Sequence, residues 1–139
     1  MRSAAPRCAA NDGVIDAAFA GETREVETEF GKARAGGSSP AAIVSAAIRQ
    51  VANLHKMKLA VEGGDSLEFA MMRGAPPVHF SRKKEVEAAL RTWSPPRLLR
   101  AMAQLAEASL DARRNAALAE TIAQRTLLSI AVSARRRES

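Results

Sequence analysis

The stretch from Pro76 to Leu99 reads PPVHFSRKKEVEAALRTWSPPRLL, and its pattern indicates an all-helical fold. The two leading prolines fix φ and lack an N–H donor, so no helix continues through them. A helix is then predicted over 82–92, with Ser81 as its N-cap and an apolar face formed by Val86, Ala89, Leu90 and Trp93. Ser94 followed by two prolines predicts the start of another helix.

Similar patterns of capping residues and apolar spacing run along the rest of the chain. Gly21 and the pair Gly36-Gly37 predict the ends of two short helices, and Ser39-Pro40 predicts the start of a long one. We expect this long helix to be the central one, with an apolar side that includes Val44, Ala47, Val51 and Leu54. The predicted helices span 14–20, 22–35, 40–61, 67–72, 82–92, 95–113 and 117–134. The β-branched residues are too scattered for an alternating strand, so we predict an all-α bundle of about five to seven helices.

Length and composition fit one soluble domain. The chain has 139 residues, of which 47% are hydrophobic and 4% aromatic, so its core must be mainly aliphatic. Residues 1–10 lack periodicity and predict a disordered leader or foreign sequence. The single Cys8 excludes an internal disulfide and fits the reducing cytoplasm. No apolar run approaches the roughly 18 residues of a membrane span, and we expect no membrane contact.

Charge is distributed unevenly along the chain. The net charge is +6, yet 11–31 is acidic and 73–100 is basic. This layout suits docking to an oppositely charged protein or attraction to nucleic acid, and charge alone does not separate the two. The candidate nucleic-acid contacts are Arg82, Lys83, Lys84, Arg97 and Arg100. The ordinary alternative for the first three is a basic turn that points into solvent.

The sequence contains little that suggests catalysis. It has no phosphate-binding glycine loop and no Cys-x-x-Cys motif, and His55 and His79 lack a second metal ligand one turn away. The pair Glu25 and Glu29 is expected on an exposed helix face, with no cleft implied. We therefore predict no catalytic, cofactor-binding or metal-binding residue.

Two features bear on packing. Trp93 is expected in the core, against the start of the helix that follows, with an interface hot spot as the alternative. The apolar residues of the last predicted helix cover more than half of its circumference, which indicates burial by its own domain and by a neighbour. The candidate interface residues are Leu118, Ile122, Leu127 and Ile130.

Several of these segments carry a family resemblance. The succession Ile43-Val44, Ala47 to Val51 and Leu54-His55 is followed by Pro-Pro-x-x-Phe-x-Arg-Lys at 76–83, by Arg91-Thr92-Trp93-Ser94 and by Leu98 to Ala101. From about Val14 to its end, the chain resembles the C-terminal collar domain of the bacterial DNA polymerase III delta subunit, part of the sliding-clamp loader. The proline-rich segment and the Trp-Ser pair are the most specific parts of the match.

The resemblance implies a partner set and a role in DNA replication. In that family a clamp-opening AAA+-like domain without a working nucleotide site and a helical lid precede the collar. The collar packs beside those of the gamma/tau and delta-prime subunits in a pentameric ring. Residues 11–37 would then be the end of the lid and the first helix, and 38–139 the helical collar domain. The resemblance implies no clamp binding by this chain and allows DNA contact within the assembly.

Two departures from the family pattern stand out. Residues 1–10 do not look like the family, and the clamp-opening domain is missing, so we expect an excised fragment or a truncated reading frame. The segment Arg113 to Ala116 lacks the proline expected before the final helix, which leaves the start of that helix open. The alternative function is a basic helical module that binds nucleic acid on its own.

Overall fold

A computed structural model describes residues 11–74 and 77–136, and 84% of these residues are helical. Within those ranges there are seven α-helices, two 3₁₀ turns and no strand, as predicted. The α-helices are α1 (Asp12–Ala20), α2 (Thr23–Ala35), α3 (Pro40–Glu62), α4 (Leu67–Met72), α5 (Lys83–Thr92), α6 (Pro95–Arg114) and α7 (Ala119–Arg135). The predicted leader, with Cys8, and Pro76 of the proline corner lie outside the described residues.

Local capping chemistry sets most helix boundaries. The side chains of Ser39, Ser66 and Ser94 each accept a hydrogen bond from the backbone N–H three residues later, at 3.0, 3.1 and 3.4 Å. Each bond satisfies a donor that has no partner within the helix. Gly21 ends α1 with φ of 80°, a left-handed conformation that glycine adopts without steric cost. The predicted starts at Ser39 and Ser94 and the predicted end at Gly21 are confirmed, and Ser66 caps the short helix predicted over 67–72.

Two predicted helix starts were wrong. Ser81 does not cap α5; it lies inside a 3₁₀ turn, Phe80–Arg82, and α5 begins at Lys83. The cap of that turn is His79, whose Nδ1 accepts from the backbone N–H of Ser81 at 3.1 Å. The last helix begins at Ala119 rather than 117, because a second 3₁₀ turn, Ala116–Leu118, comes first.

The long helix α3 is central, and its most extensive packing partner is α6. It also contacts α1, α4, α5 and α7. Val44, Ala47, Val51 and Leu54 of α3 are fully buried, which is the apolar face predicted for a central helix.

Trp93 joins the first helix to the end of α5. Its indole is 2% exposed, its Nε1 donates to the backbone oxygen of Phe19 at 2.9 Å, and the two rings meet edge to face at 5.4 Å. Trp93 is therefore a core residue, as predicted, with its polar N–H satisfied.

One hydrophobic core runs through the described residues. Phe19 of α1 and Phe30 of α2 belong to the same cluster as Leu54 of α3 and Leu127 of α7. The core is thus continuous across the boundary that we predicted between residues 37 and 38. No helix among the described residues is long and apolar enough to cross a membrane.

Candidate interaction surfaces

Arg82, the first predicted nucleic-acid contact, is engaged inside the molecule. Its Nε donates to Oδ2 of Asp16 at 2.8 Å and its Nη2 to Oδ1 at 2.9 Å, and Asp12 lies 3.7 Å from Nε. The side chains of Arg82 and Asp16 are 13% and 11% exposed. A guanidinium that is largely buried and paired with carboxylates offers little accessible positive charge to a phosphate.

Arg97 is also part of the core. The residue is 7% exposed, its guanidinium lies 4.9 Å from the centroid of the Trp93 ring, and it donates to the backbone oxygens of Thr92 and Ser133. It therefore joins the start of α6 to the end of α7. The sequence could not show this, because a basic residue in the first turn of a helix can be either buried or exposed to solvent.

The other three basic candidates lie at the surface. Lys83 pairs with Glu68 at 2.5 Å, and this hydrogen bond raises the pKa of Lys83 and lowers the pKa of Glu68. Lys84 and Arg100 are exposed. The five predicted contacts are thus split between the interior and the surface, and Arg82 and Arg97 do not present a basic face.

The four interface candidates of the last helix are divided as well. Leu127 and Ile130 are each 0% exposed and belong to the core of the chain itself. In this fold they offer no surface to a partner, because α1, α2, α3 and α6 already cover much of α7. Ile122 is half-buried, and Leu118 is 54% exposed. The interface prediction therefore continues to apply to Leu118 and Ile122 alone.

An apolar line that we did not single out as a surface runs along the outside of α6. Leu99 and Leu110 are 50% and 43% exposed, and Ala103 and Ala106 between them are exposed too. We call these four residues the α6 stripe. Their spacing of four, three and four residues places them on one helix face. The spacing was visible in the sequence, but only the structure shows that α3 and α7 pack against other faces of the helix.

A second apolar surface lies between α4 and the residues after the proline corner. It is a groove of about 550 Å³ whose walls include Phe69, Met72, Val78 and Phe80. We call it the corner groove. Phe80 is 88% exposed and Met72 is 63% exposed. Two large apolar side chains, one on the 3₁₀ turn and one on α4, are therefore exposed to solvent at this groove. Sequence reasoning assigned neither residue a role.

A third surface is an acidic cleft of about 290 Å³. Carboxylates surround Arg82 there, contributed by Asp12, Asp16, Glu22, Glu25, Glu29 and Glu85. Glu25 and Glu29 thus border a cleft, contrary to the plain helix face that we expected. Burial raises the pKa of Asp16 above 3.8, and the carboxylates of Asp12 and Glu85 act in the same direction, whereas Arg82 opposes them. No cluster suited to holding a metal ion occurs among the described residues.

Comparison of the chain with models of known protein families, with curated proteins and with solved structures finds no match.

Proposed function

We propose that this chain is a subunit-assembly module, equivalent to the collar domain of a DNA polymerase III delta subunit, in a sliding-clamp loader for DNA replication. Its partners would be the collar domains of the gamma/tau and delta-prime subunits. The proposal assigns it no catalytic step and no cofactor. It also places the protein in the bacterial cytoplasm, where replication takes place.

The proposal is supported by agreement between the fold and the resemblance. The chain forms an all-α bundle around a long central helix. The segments that carry the resemblance lie on α3, at the proline corner, on α5 and at the start of α6. Trp93 and Leu98 of those segments are core residues, so the resembling positions include ones that specify this bundle.

The single observation that carries the proposal is the α6 stripe. Leu99 and Leu110 are eleven residues apart, which corresponds to about 16 Å along a helix. The exposed alanines between them leave room for a partner helix to approach to the usual 8–10 Å axis separation. An apolar stripe of this kind on a surface helix is typical of a protein-interaction site.

The test is co-elution with purified gamma/tau and delta-prime subunits on a sizing column at micromolar concentration. We expect wild-type protein to move into one larger species with them. The double variant Leu99→Glu with Leu110→Glu should remain separate, because it places two charges on the α6 stripe. Leu59→Glu is the matched control, since Leu59 is also 50% exposed but lies on α3.

Absence of co-elution by the wild-type protein would contradict the proposal. Equal loss of assembly in Leu59→Glu would show that the α6 stripe is not the contact. Because all three leucines are half-exposed, we expect each variant to fold. Circular dichroism of each variant checks this.

Nucleic-acid binding by an independent basic module is less well supported. Two of its five predicted contacts, Arg82 and Arg97, are held by carboxylates, a ring and backbone oxygens inside the bundle. Duplex DNA binding that falls steeply with salt and that is lost in Lys84→Ala with Arg100→Ala would restore this alternative.

A further inference from the structure

The α6 stripe has the same pattern in both chain directions. Its two leucines lie at the ends and its two alanines in the middle, with spacings of four, three and four residues. An interface between two copies related by a two-fold axis uses the same patch on each copy, so the patch must be complementary to itself. A palindromic row of side chains on one helix face meets this condition when the second helix runs antiparallel.

Two antiparallel stripes pack well against each other. Leu99 of one copy then faces Leu110 of the other, and Ala103 faces Ala106. The alanines lie at the centre, and their small side chains allow the helix axes to approach to about 8 Å. The leucine contacts at the two ends remove from water side chains that are 50% and 43% exposed in the single chain. The alternation of three- and four-residue spacings is also that of the apolar seam in paired helices.

Two charges beside the stripe indicate a second copy as the occupant. Arg100 and Glu107 are both exposed, and their separation of seven residues places them on the same flank of α6. Neither makes an ion pair within the described residues. In the antiparallel arrangement this flank meets the same flank of the second copy. Arg100 then lies about 3 Å along the helix axis from Glu107 of that copy.

The two-fold axis forms this ion pair twice, so each copy supplies one cation and one anion to the contact. A parallel arrangement would instead place the charged flank beside the opposite flank, where Met102 and Ser109 carry no charge. Charge complementarity across the stripe therefore favours a second copy of the chain in the antiparallel direction.

We propose that the α6 stripe of the free chain pairs with the α6 stripe of a second copy, antiparallel, with Arg100 of each copy bound to Glu107 of the other. The contact is a single helix pair and buries less surface than a standard interface, so we expect a dissociation constant between about 1 μM and 1 mM. One consequence rests on the proposed function: because ring partners bind the same stripe, self-association and subunit assembly exclude each other.

Sedimentation equilibrium of the chain alone tests the pairing, at concentrations from about 10 μM to 1 mM. The average mass of the wild type should rise with concentration toward twice that of one chain. Arg100→Glu and Glu107→Arg should each weaken self-association about ten-fold or more, because each places two like-charged pairs across the axis. Lys84→Glu is the matched control, since it makes the same change in net charge as Arg100→Glu but lies on α5.

A mixture of the two single variants gives the sharpest comparison. In the Arg100→Glu chain positions 100 and 107 are both acidic, and in the Glu107→Arg chain both are basic. Opposite charges therefore meet at both contacts of a mixed pair, which should form at least as tightly as the wild-type pair. The double variant, Arg100→Glu with Glu107→Arg, should also recover self-association. Recovery in both cases requires positions 100 and 107 to face each other across two copies.

Three outcomes would overturn the inference. They are a wild type that remains a single chain up to about 1 mM, self-association that Arg100→Glu leaves unchanged, and a mixture of the single variants that does not associate. Because Arg100, Glu107 and Lys84 are exposed, every variant should keep the circular dichroism spectrum of the wild type. These measurements contain no other subunit, so their failure leaves the co-elution test of the proposed function unaffected, and the reverse also holds.

Discussion

Arg82 and Asp16 are 66 residues apart in the chain, yet they form a two-bond ion pair with donor–acceptor distances of 2.8 and 2.9 Å. Asp16 lies on α1, and Arg82 ends the 3₁₀ turn after the proline corner. The pair therefore fixes the corner against the first helix. Because both side chains are largely buried, breaking the pair from one side leaves a charge without its partner.

Replacing Arg82 should destabilise the fold strongly. Arg82→Ala leaves Asp16 buried beside the acids of the cleft, and we expect a loss of about 3 kcal/mol in the free energy of unfolding. Urea denaturation followed by circular dichroism measures it. Arg82→Lys keeps the charge but loses the planar fork, so it should recover only part of the loss. A loss below about 1 kcal/mol in Arg82→Ala would show that the pair is a surface interaction.

The raised pKa of Asp16 predicts how stability depends on pH. In the native chain Asp16 binds a proton more readily than its ordinary pKa of 3.8 implies, mainly because of burial. Its contribution to the free energy of unfolding is therefore largest below 3.8, falls as the pH rises to the native pKa, and is constant above it. The free energy of unfolding of the wild type minus that of Asp16→Asn should rise as the pH is lowered from neutral to about 4. A fall in this quantity on acidification would mean that Arg82 outweighs burial.

Trp93 should tolerate phenylalanine poorly. Trp93→Phe removes the donor that satisfies the Phe19 oxygen and leaves a small cavity, which should cost about 2–3 kcal/mol. Thermal unfolding followed by circular dichroism tests this, because the variant lacks the only tryptophan. Leu99→Ala, on the surface of the next helix, should change stability by less than about 0.5 kcal/mol. Similar losses in both variants would contradict the core assignment of Trp93.

The stability effects of substitutions at Leu127 and Leu118 should distinguish a core position from a surface position in the C-terminal part of the chain. Leu127→Ala creates a cavity among fully buried residues and should cost about 2–5 kcal/mol. Leu118→Ala should cost less than about 0.5 kcal/mol, since the side chain is 54% exposed. Chemical denaturation of the two variants compares them directly. If Leu127→Ala leaves stability unchanged but abolishes subunit assembly, our original interface assignment of Leu127 is right.

Local chemistry allowed most of the helices to be predicted. Ser39, Ser66 and Ser94 cap helices in the structure at the predicted places, and Gly21 ends α1. Each boundary depends on atoms within four residues of it, so the sequence contains the whole interaction. Ser81 is the exception: the side chain of His79 accepts the backbone N–H that begins the turn, and Ser81 lies within that turn.

The roles of the surface residues were harder to predict. Leu99 and Leu127 have similar sequence surroundings, but one is half-exposed and the other is fully buried. Arg82 and Arg97 have the pattern of solvent-exposed bases, and both are internal. In each case the outcome depends on which helix packs over the residue, which periodicity does not specify.

By itself, the sequence determined an all-α chain, the ends of most helices and the identity of the central helix, because capping and apolar periodicity act over one or two turns. Only the tertiary structure decided which cations face inward, which apolar faces remain uncovered and where the corner groove lies. Those properties arise from contacts between residues far apart in the chain, such as Asp16 with Arg82 and Phe19 with Trp93. Their partners are set by how the seven helices of the described residues pack together, and no local pattern records that packing.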